Sequence, residues 1–192
     1  MNAPASRIPL LDRDEARKAA AEEGIAEGLA DLNVFRVLLH HPPLARWFAD
    51  FLMGLLWEGR FDARLRELVI MRLGWATGSV YEWTQHWRIA LQLGCTEDDV
   101  LGVRDWQHHD GFGPAEQAVL AAVDETLADG AVSEATWDAC VEHVSPEPRI
   151  LLEMVSAIGL WRMVSTVLRS VEIPLEDGVE AWPPDGAVPG GS

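Results

Sequence analysis

Three side chains in this sequence have the types and spacing needed to move protons: Glu67, Glu82 and His86. Glu82 and His86 stand four positions apart in YEWTQHW, so on a helix they project from one face. Glu67 lies in the preceding stretch among Leu65, Leu68, Val69 and Ile70, which predicts partial burial. Burial raises a carboxyl pKa and lets the group hold or deliver a proton near neutrality. An imidazole titrates in that range without help. The plainer alternative for Glu67 is a salt bridge to Arg66 or Arg72. Ser79-Val80-Tyr81-Glu82 also has the form of a capping box, in which the glutamate serves only the first helical turn and contributes about 1 kcal/mol with its cap. Cap and chemistry are both open for Glu82. Tyr81, the only tyrosine, is a candidate donor to a developing enolate oxygen or a packing residue. Trp75, Trp83 and Trp87 surround this stretch and are expected to wall a site for a flat or cyclic molecule. Ser79, Trp75 and Trp83 are therefore the expected substrate-binding residues.

These residues need two helices joined by a tight turn. Apolar residues at Leu65, Leu68, Val69 and Leu73 predict one buried stripe on a helix over about 62–77. Gly78 is available for a left-handed cap, and a second helix runs over about 79–93, closed by Gly94. Around this pair, Asp12 predicts the cap of an alanine-rich helix reaching about Leu32, and Asn33 the cap of a short helix ending at His40-His41. Leu44 to Trp57 carries Leu44, Trp47, Phe48, Phe51, Leu52 and Leu55 on one broad face, as a core or subunit-interface helix would. Thr96-x-x-Asp99 caps a helix to about Trp106, Gln107 to Pro114 is a loop, and helices follow over 115–128, 133–144 and 149–170. No alternating β-branched run is bounded by turns, so the expected class is all-α, a compact bundle of about eight helices. Residues 1–11 form an extended arm, 12–174 one helical domain, and 175–192 an extended or partly disordered tail rich in proline and glycine, with Val179 and Trp182 as its anchors.

The stretch from Glu67 to His86 resembles the signature region of the carboxymuconolactone decarboxylase and alkylhydroperoxidase superfamily. Its peroxidase branch is marked by Glu-x11-Cys-x2-Cys-x3-His; in that alignment Glu67 takes the glutamate, Ser79 and Glu82 the two cysteines, and His86 the histidine. Without the redox pair, Glu82-Trp83-Thr84-Gln85-His86 is similar to the Glu-Leu-x-x-His of the decarboxylase branch. The resemblance covers about Asn33 to Pro174. It implies a cofactor-independent lyase or isomerase acting on a small carboxylated lactone or oxo acid. Glu67 and His86 would form a proton relay, with Glu82 a second carboxylate near the substrate. It also implies a homo-oligomer, as a trimer, dimer or hexamer. A non-catalytic small-molecule-binding or assembly protein on the same scaffold is the second reading. A peroxidase is the third, because it needs a thiolate and Cys95 and Cys140 lie outside the motif.

Composition agrees with a soluble globular protein: 48% apolar and 24% charged residues. A net charge of −16 argues against nucleic acid as a partner, whose phosphates reward clustered Lys and Arg. The amino terminus lacks a basic region followed by an apolar run, and the stretch Phe51–Trp57 is too short to span a bilayer, so a cytoplasmic location without membrane association is expected. Cys95 and Cys140 are expected as buried thiols. Adjacent His108-His109 in a glycine loop do not supply convergent ligands, and His40-His41 complement a helix end, so neither a metal nor a cofactor is expected.

Overall fold

Apolar residues at helical spacing, punctuated by glycine and proline, give ten α-helices and no strand among the described residues. The computed structural model describes residues 6–190; the first five residues of the expected arm and the last two of the tail lie outside it. The helices are α1 (Arg13–Glu22), α2 (Glu27–Ala30), α3 (Asn33–Leu38), α4 (Pro42–Met53), α5 (Ala63–Thr77), α6 (Val80–Gln92), α7 (Glu97–Gly102), α8 (Pro114–Asp129), α9 (Glu134–His143) and α10 (Pro148–Val171). A π-helical turn, Gly54–Glu58, follows α4, and a 3-10 segment, Val103–His108, follows α7. The all-α class is as the sequence predicts.

The chain divides into two compact units. The first comprises Met1–Glu58 with Thr166–Val179. Here Asp12 caps α1 by accepting from the Asp14 amide at 2.9 Å. The helix expected to reach Leu32 stops instead at Glu22, because Gly24 turns the chain at φ +69° and α2 starts afresh. A side chain at Gly24 would also meet the Arg46 guanidinium at 2.9 Å. Asn33 is not the cap of α3; Leu32 holds that position, and the Asn33 side-chain Nδ2 donates to the Pro174 and Leu175 carbonyls at 3.2 Å. His41 likewise does not close a helix. Its Nδ1 accepts from the Leu44 amide at 3.1 Å and opens α4, where Pro42 suits the first turn. The broad apolar face of α4 splits: Ala45 and Phe48 are buried, while Leu44, Trp47 and Phe51 point outward at 45%, 66% and 47% exposure.

The second unit comprises Gly59–Ser165 with Glu180–Ser192. α5 packs on α6, α7 and α8, and Leu68, Val69, Ile70, Met71 and Leu73 are all fully buried. The single buried stripe expected for this helix is therefore too modest: α5 is enclosed nearly all round, and so its pattern is only weakly amphipathic. Gly78 ends it at φ +70°, and the amides of Gly78 and Ser79 return to the carbonyls of Trp75 and Gly74 at 3.0 and 2.8 Å. Gly74 lets α6 come close, since a Cβ there would lie 3.1 Å from the Trp83 amide nitrogen. α7 opens on the expected reciprocal cap of Thr96 and Asp99. By length and apolar composition α10 could cross a membrane. Its Met154, Ala157, Ile158, Leu160 and Trp161 are buried, as in a core helix.

Candidate functional site

All the predicted proton-handling residues lie in the second unit, on α5 and α6. The short turn at Gly78 brings the end of one helix against the start of the next. The His86 ring comes to 2.7 Å from Glu67, through Nδ1 and Oε2. The other Glu67 oxygen takes the Arg66 guanidinium at 3.4 Å, the alternative partner named above. Arg72 instead holds Asp124 through two bonds of 2.7 and 2.9 Å. Glu67 is wholly buried and Arg66 is 4% exposed, so the arginine compensates a carboxylate that no water reaches. The remaining ring nitrogen of His86, Nε2, receives the Trp161 indole N–H at 3.2 Å. An indole only donates, so Nε2 must accept and the imidazole proton sits on Nδ1, directed at Glu67. His86 is thus a neutral ring fixed at both nitrogens. Trp161 went unnoticed in the sequence, where it reads as one more apolar residue of α10.

Glu82 does not form the expected capping box. Ser79 occupies the N-cap of α6, but its hydroxyl makes no capping bond, and the Glu82 carboxyl turns away from the helix start to Ser165 on α10. Glu82 Oε2 is hydrogen-bonded to Ser165 Oγ; Oε1 is buried without a partner, as is Ser79 Oγ. Burial pushes the Glu82 carboxyl up from 4.5 to about 7, against the lowering pull of the Ser165 hydroxyl. At 2% exposure it is a group that keeps its proton to near neutrality. Ser165 was another residue the sequence reading missed. The signal available was a pair of hydroxyl residues, Ser165 and Thr166, in the apolar run MVSTVL, with Ser165 four positions after Trp161.

This shift has a consequence for stability. The folded state retains the Glu82 proton at pH values where the unfolded chain, titrating near 4.5, has released it. The resulting stabilisation is full below about pH 4.5, declines as pH rises, and is lost above the folded value of about 7. Between pH 4.5 and 8 it amounts to about 3 kcal/mol at roughly 1.4 kcal/mol per unit. Urea denaturation across this range should show the wild type losing about that much more stability than Glu82→Gln; parallel profiles would contradict the shift.

The tryptophans are arranged differently from an open wall. Trp83 is fully buried, with Trp75 at 5.2 Å and Trp87 at 6.1 Å between ring centroids. Residues 180–190 of the tail lie over this cluster. Trp182 sits 5.9 Å from Trp75 and 6.0 Å from Trp83, and the Pro183 carbonyl accepts from Trp83 Nε1 at 2.8 Å. The Arg104 guanidinium stacks 4.6 and 4.8 Å from the Trp75 and Trp83 rings and grips Asp185 through bonds of 2.7 and 3.0 Å. That pairing pulls the Asp185 carboxyl down to about 2. The tail has no regular secondary structure, yet Trp182 anchors it as expected and Asp185 adds an unforeseen second hold.

Tyr81 is buried at 5% exposure, about 100° around α6 from Glu82, so its ring projects from a different face. His108 Nδ1 pairs with Asp105 at 2.8 Å, and the His109 ring packs edge-on against Phe112 at 4.4 Å. Among the described residues no three His, Cys, Asp or Glu side chains converge as metal ligands. Cys95 and Cys140 are free and buried, their thiols pushed up by burial to about 12 and about 11.

Residues 42–125 match the model of the carboxymuconolactone decarboxylase family. No curated protein matches the chain. Among solved structures, an uncharacterized peroxidase-related protein from Ralstonia eutropha JMP134, described as an alkylhydroperoxidase AhpD core, aligns with a TM-score of 0.72 at 19% identity, covering 91% of this chain and 94% of that one. An uncharacterized peroxidase-related protein from Silicibacter sp. TM1040 gives 0.70 at 14% identity, over 93% and 92% of the two chains. A variant of the debrominase Bmp8 in complex with 2,3,4-tribromopyrrole gives 0.67 at 15% identity, over 92% and 94%. At such identities the likeness establishes the fold.

Proposed function

We propose, from the match of residues 42–125 to the carboxymuconolactone decarboxylase family model and from the alkylhydroperoxidase-like fold, that the chain works by proton transfer, as a cofactor-independent lyase or isomerase on a small carboxylated lactone or oxo acid. The observation that carries this reading is Glu82: a buried carboxyl held near neutrality beside the Glu67–His86 pair. When such an acid loses CO2, the electron pair of the broken bond passes to the adjacent carbon and into its carbonyl as an enolate. The Glu82 carboxyl delivers its proton to that carbon and is left as a carboxylate, which a solvent proton restores. The Glu67–His86–Trp161 chain fixes the ring beside it and so the polarity around the developing anion.

The names of the peroxidase-related neighbours do not bring thiol chemistry to this chain. Serine and glutamate stand at the two motif positions, and both cysteines are held as thiols by burial. A second reading, a small-molecule-binding or assembly protein on the same scaffold, draws on a different observation. Glu67, Ser79 and Glu82 are sealed at 0%, 1% and 2% exposure. The outward Leu44, Trp47, Phe51 and Trp57 support a homo-oligomer, as a dimer, trimer or hexamer. A cytoplasmic setting suits the two free thiols.

The test is incubation in D2O with carboxylated lactones and β-keto acids, following CO2 loss and deuterium incorporation by NMR. Deuterium should enter at the carbon that bore the carboxylate, in wild type and not in Glu82→Gln or His86→Ala. Turnover that both variants retain would overturn the assignment and favour the binding reading.

A further inference from the structure

Glu82 is linked to two hydroxyls whose protons can be counted. Thr77 Oγ1 lies 2.6 Å from the Leu73 carbonyl and 3.1 Å from Ser165 Oγ, and Ser165 Oγ meets Glu82 Oε2. These are three hydrogen bonds, and each hydroxyl owns one proton. The Leu73 carbonyl can only accept, so the Thr77 proton is committed to it. With the Thr77 proton on its shorter contact, 2.6 Å against 3.1 Å, the Thr77–Ser165 contact takes the Ser165 proton. That leaves the Ser165–Glu82 contact without a hydroxyl proton, and only a protonated carboxyl, donating to Ser165 Oγ, completes it. Three contacts use three protons, the third being the one on Glu82.

We infer that Thr77 and Ser165 form a directional hydroxyl relay holding Glu82 as the neutral acid, with Thr77 a positioning residue that sets where the proton rests. The relay runs Glu82, Ser165, Thr77, Leu73 carbonyl. It rests on the proposed role of Glu82 as the acid, and it says what keeps that acid loaded. When Glu82 gives up its proton, two protons remain for three contacts. Ser165 then swings its hydroxyl to the carboxylate, and the bond to Thr77 loses its hydrogen. Reloading Glu82 restores the full set. The unpartnered Glu82 Oε1 agrees with a neutral carboxyl, since a buried anion with a bare oxygen would lack compensation. The titratable and charged groups near Glu82 are His86 on its own helix and, beyond it, Glu67 with Arg66 on α5; α10 brings the uncharged Ser165 and Trp161.

The sign of one shift separates this relay from an ordinary polar contact. In Thr77→Val, which keeps the shape, the neutral state loses the acceptor for the Ser165 proton, whereas the ionised state keeps the Ser165 bond to the carboxylate. The Glu82 midpoint should therefore fall by about half a unit to one unit, the equivalent of one neutral hydrogen bond. Thr77→Ser restores the hydroxyl and should return the midpoint to the wild-type value. If Thr77 merely supports a Ser165 hydroxyl aimed at an anion, Thr77→Val raises the midpoint instead. The experiment is carbon-13 NMR titration of labelled glutamate carboxyls, with Glu82 assigned by its loss in Glu82→Gln. Thr77→Ala, smaller and easily accommodated at this half-buried helix end, is a second variant expected to shift in the same downward direction. A midpoint unchanged or raised in both variants, with wild-type Glu82 still near 7, overturns the relay alone. A wild-type midpoint in the ordinary carboxylate range overturns the relay and the proposed acid together.

Discussion

Glu82→Gln is expected to slow turnover by about 10²- to 10⁴-fold on any substrate this site protonates, with the fold preserved and the melting temperature at neutral pH no lower than that of wild type. Glutamine has the same size, and its amide can donate to Ser165 as the carboxylic acid does, so packing and the hydroxyl chain survive. What it cannot do is release a proton. The effect should appear in kcat as well as kcat/KM, since the proton moves in the transition state rather than in the binding step. Steady-state kinetics on the first substrate found by the deuterium screen check this. A variant within about threefold of wild type would move Glu82 from chemistry to structure.

The second large effect is on stability. Glu67→Ala is expected to cost about 3–5 kcal/mol, because it removes the wholly buried carboxyl that faces the Arg66 guanidinium. It also strips His86 Nδ1–H of its acceptor, so the ring loses one of the two bonds that fix it. Glu67→Gln, which keeps an oxygen for His86 but not the charge for Arg66, should fall between that variant and wild type. Urea midpoints measured near neutral pH decide this. A loss under about 1 kcal/mol in Glu67→Ala would mean that the pair contributes little to the fold.

Much of this arrangement was legible in the residues themselves. Helical spacing with Gly78 and Ser79 located the α5–α6 turn to within a residue at most ends, because glycine and the cap act locally. The pairing of Glu67 with His86 follows from the family resemblance rather than from any local rule. Local logic failed where a distant segment competes for the same groups. Asn33 looked like a cap but spends its side-chain amide on Pro174 and Leu175, which no local rule anticipates. Glu82 looked like the second half of a capping box, yet its carboxyl goes to Ser165, far along the chain. Trp75 and Trp83 had the composition of an open pocket, and the tail through Trp182 and Asp185 lies over them. The α10 contributions, Trp161 and Ser165, complete the site but carry no spacing relation to the motif. Tertiary partners are the part a single sequence conceals.

The proposed proton transfer requires Glu82 to be a neutral acid at the pH where the protein works. Carbon-13 titration of the wild-type Glu82 carboxyl measures that directly, without a substrate. A midpoint near 7 is the predicted result. A midpoint close to 4.5, the value of an unburied glutamate, would contradict it and return Glu82 to the role of a structural residue.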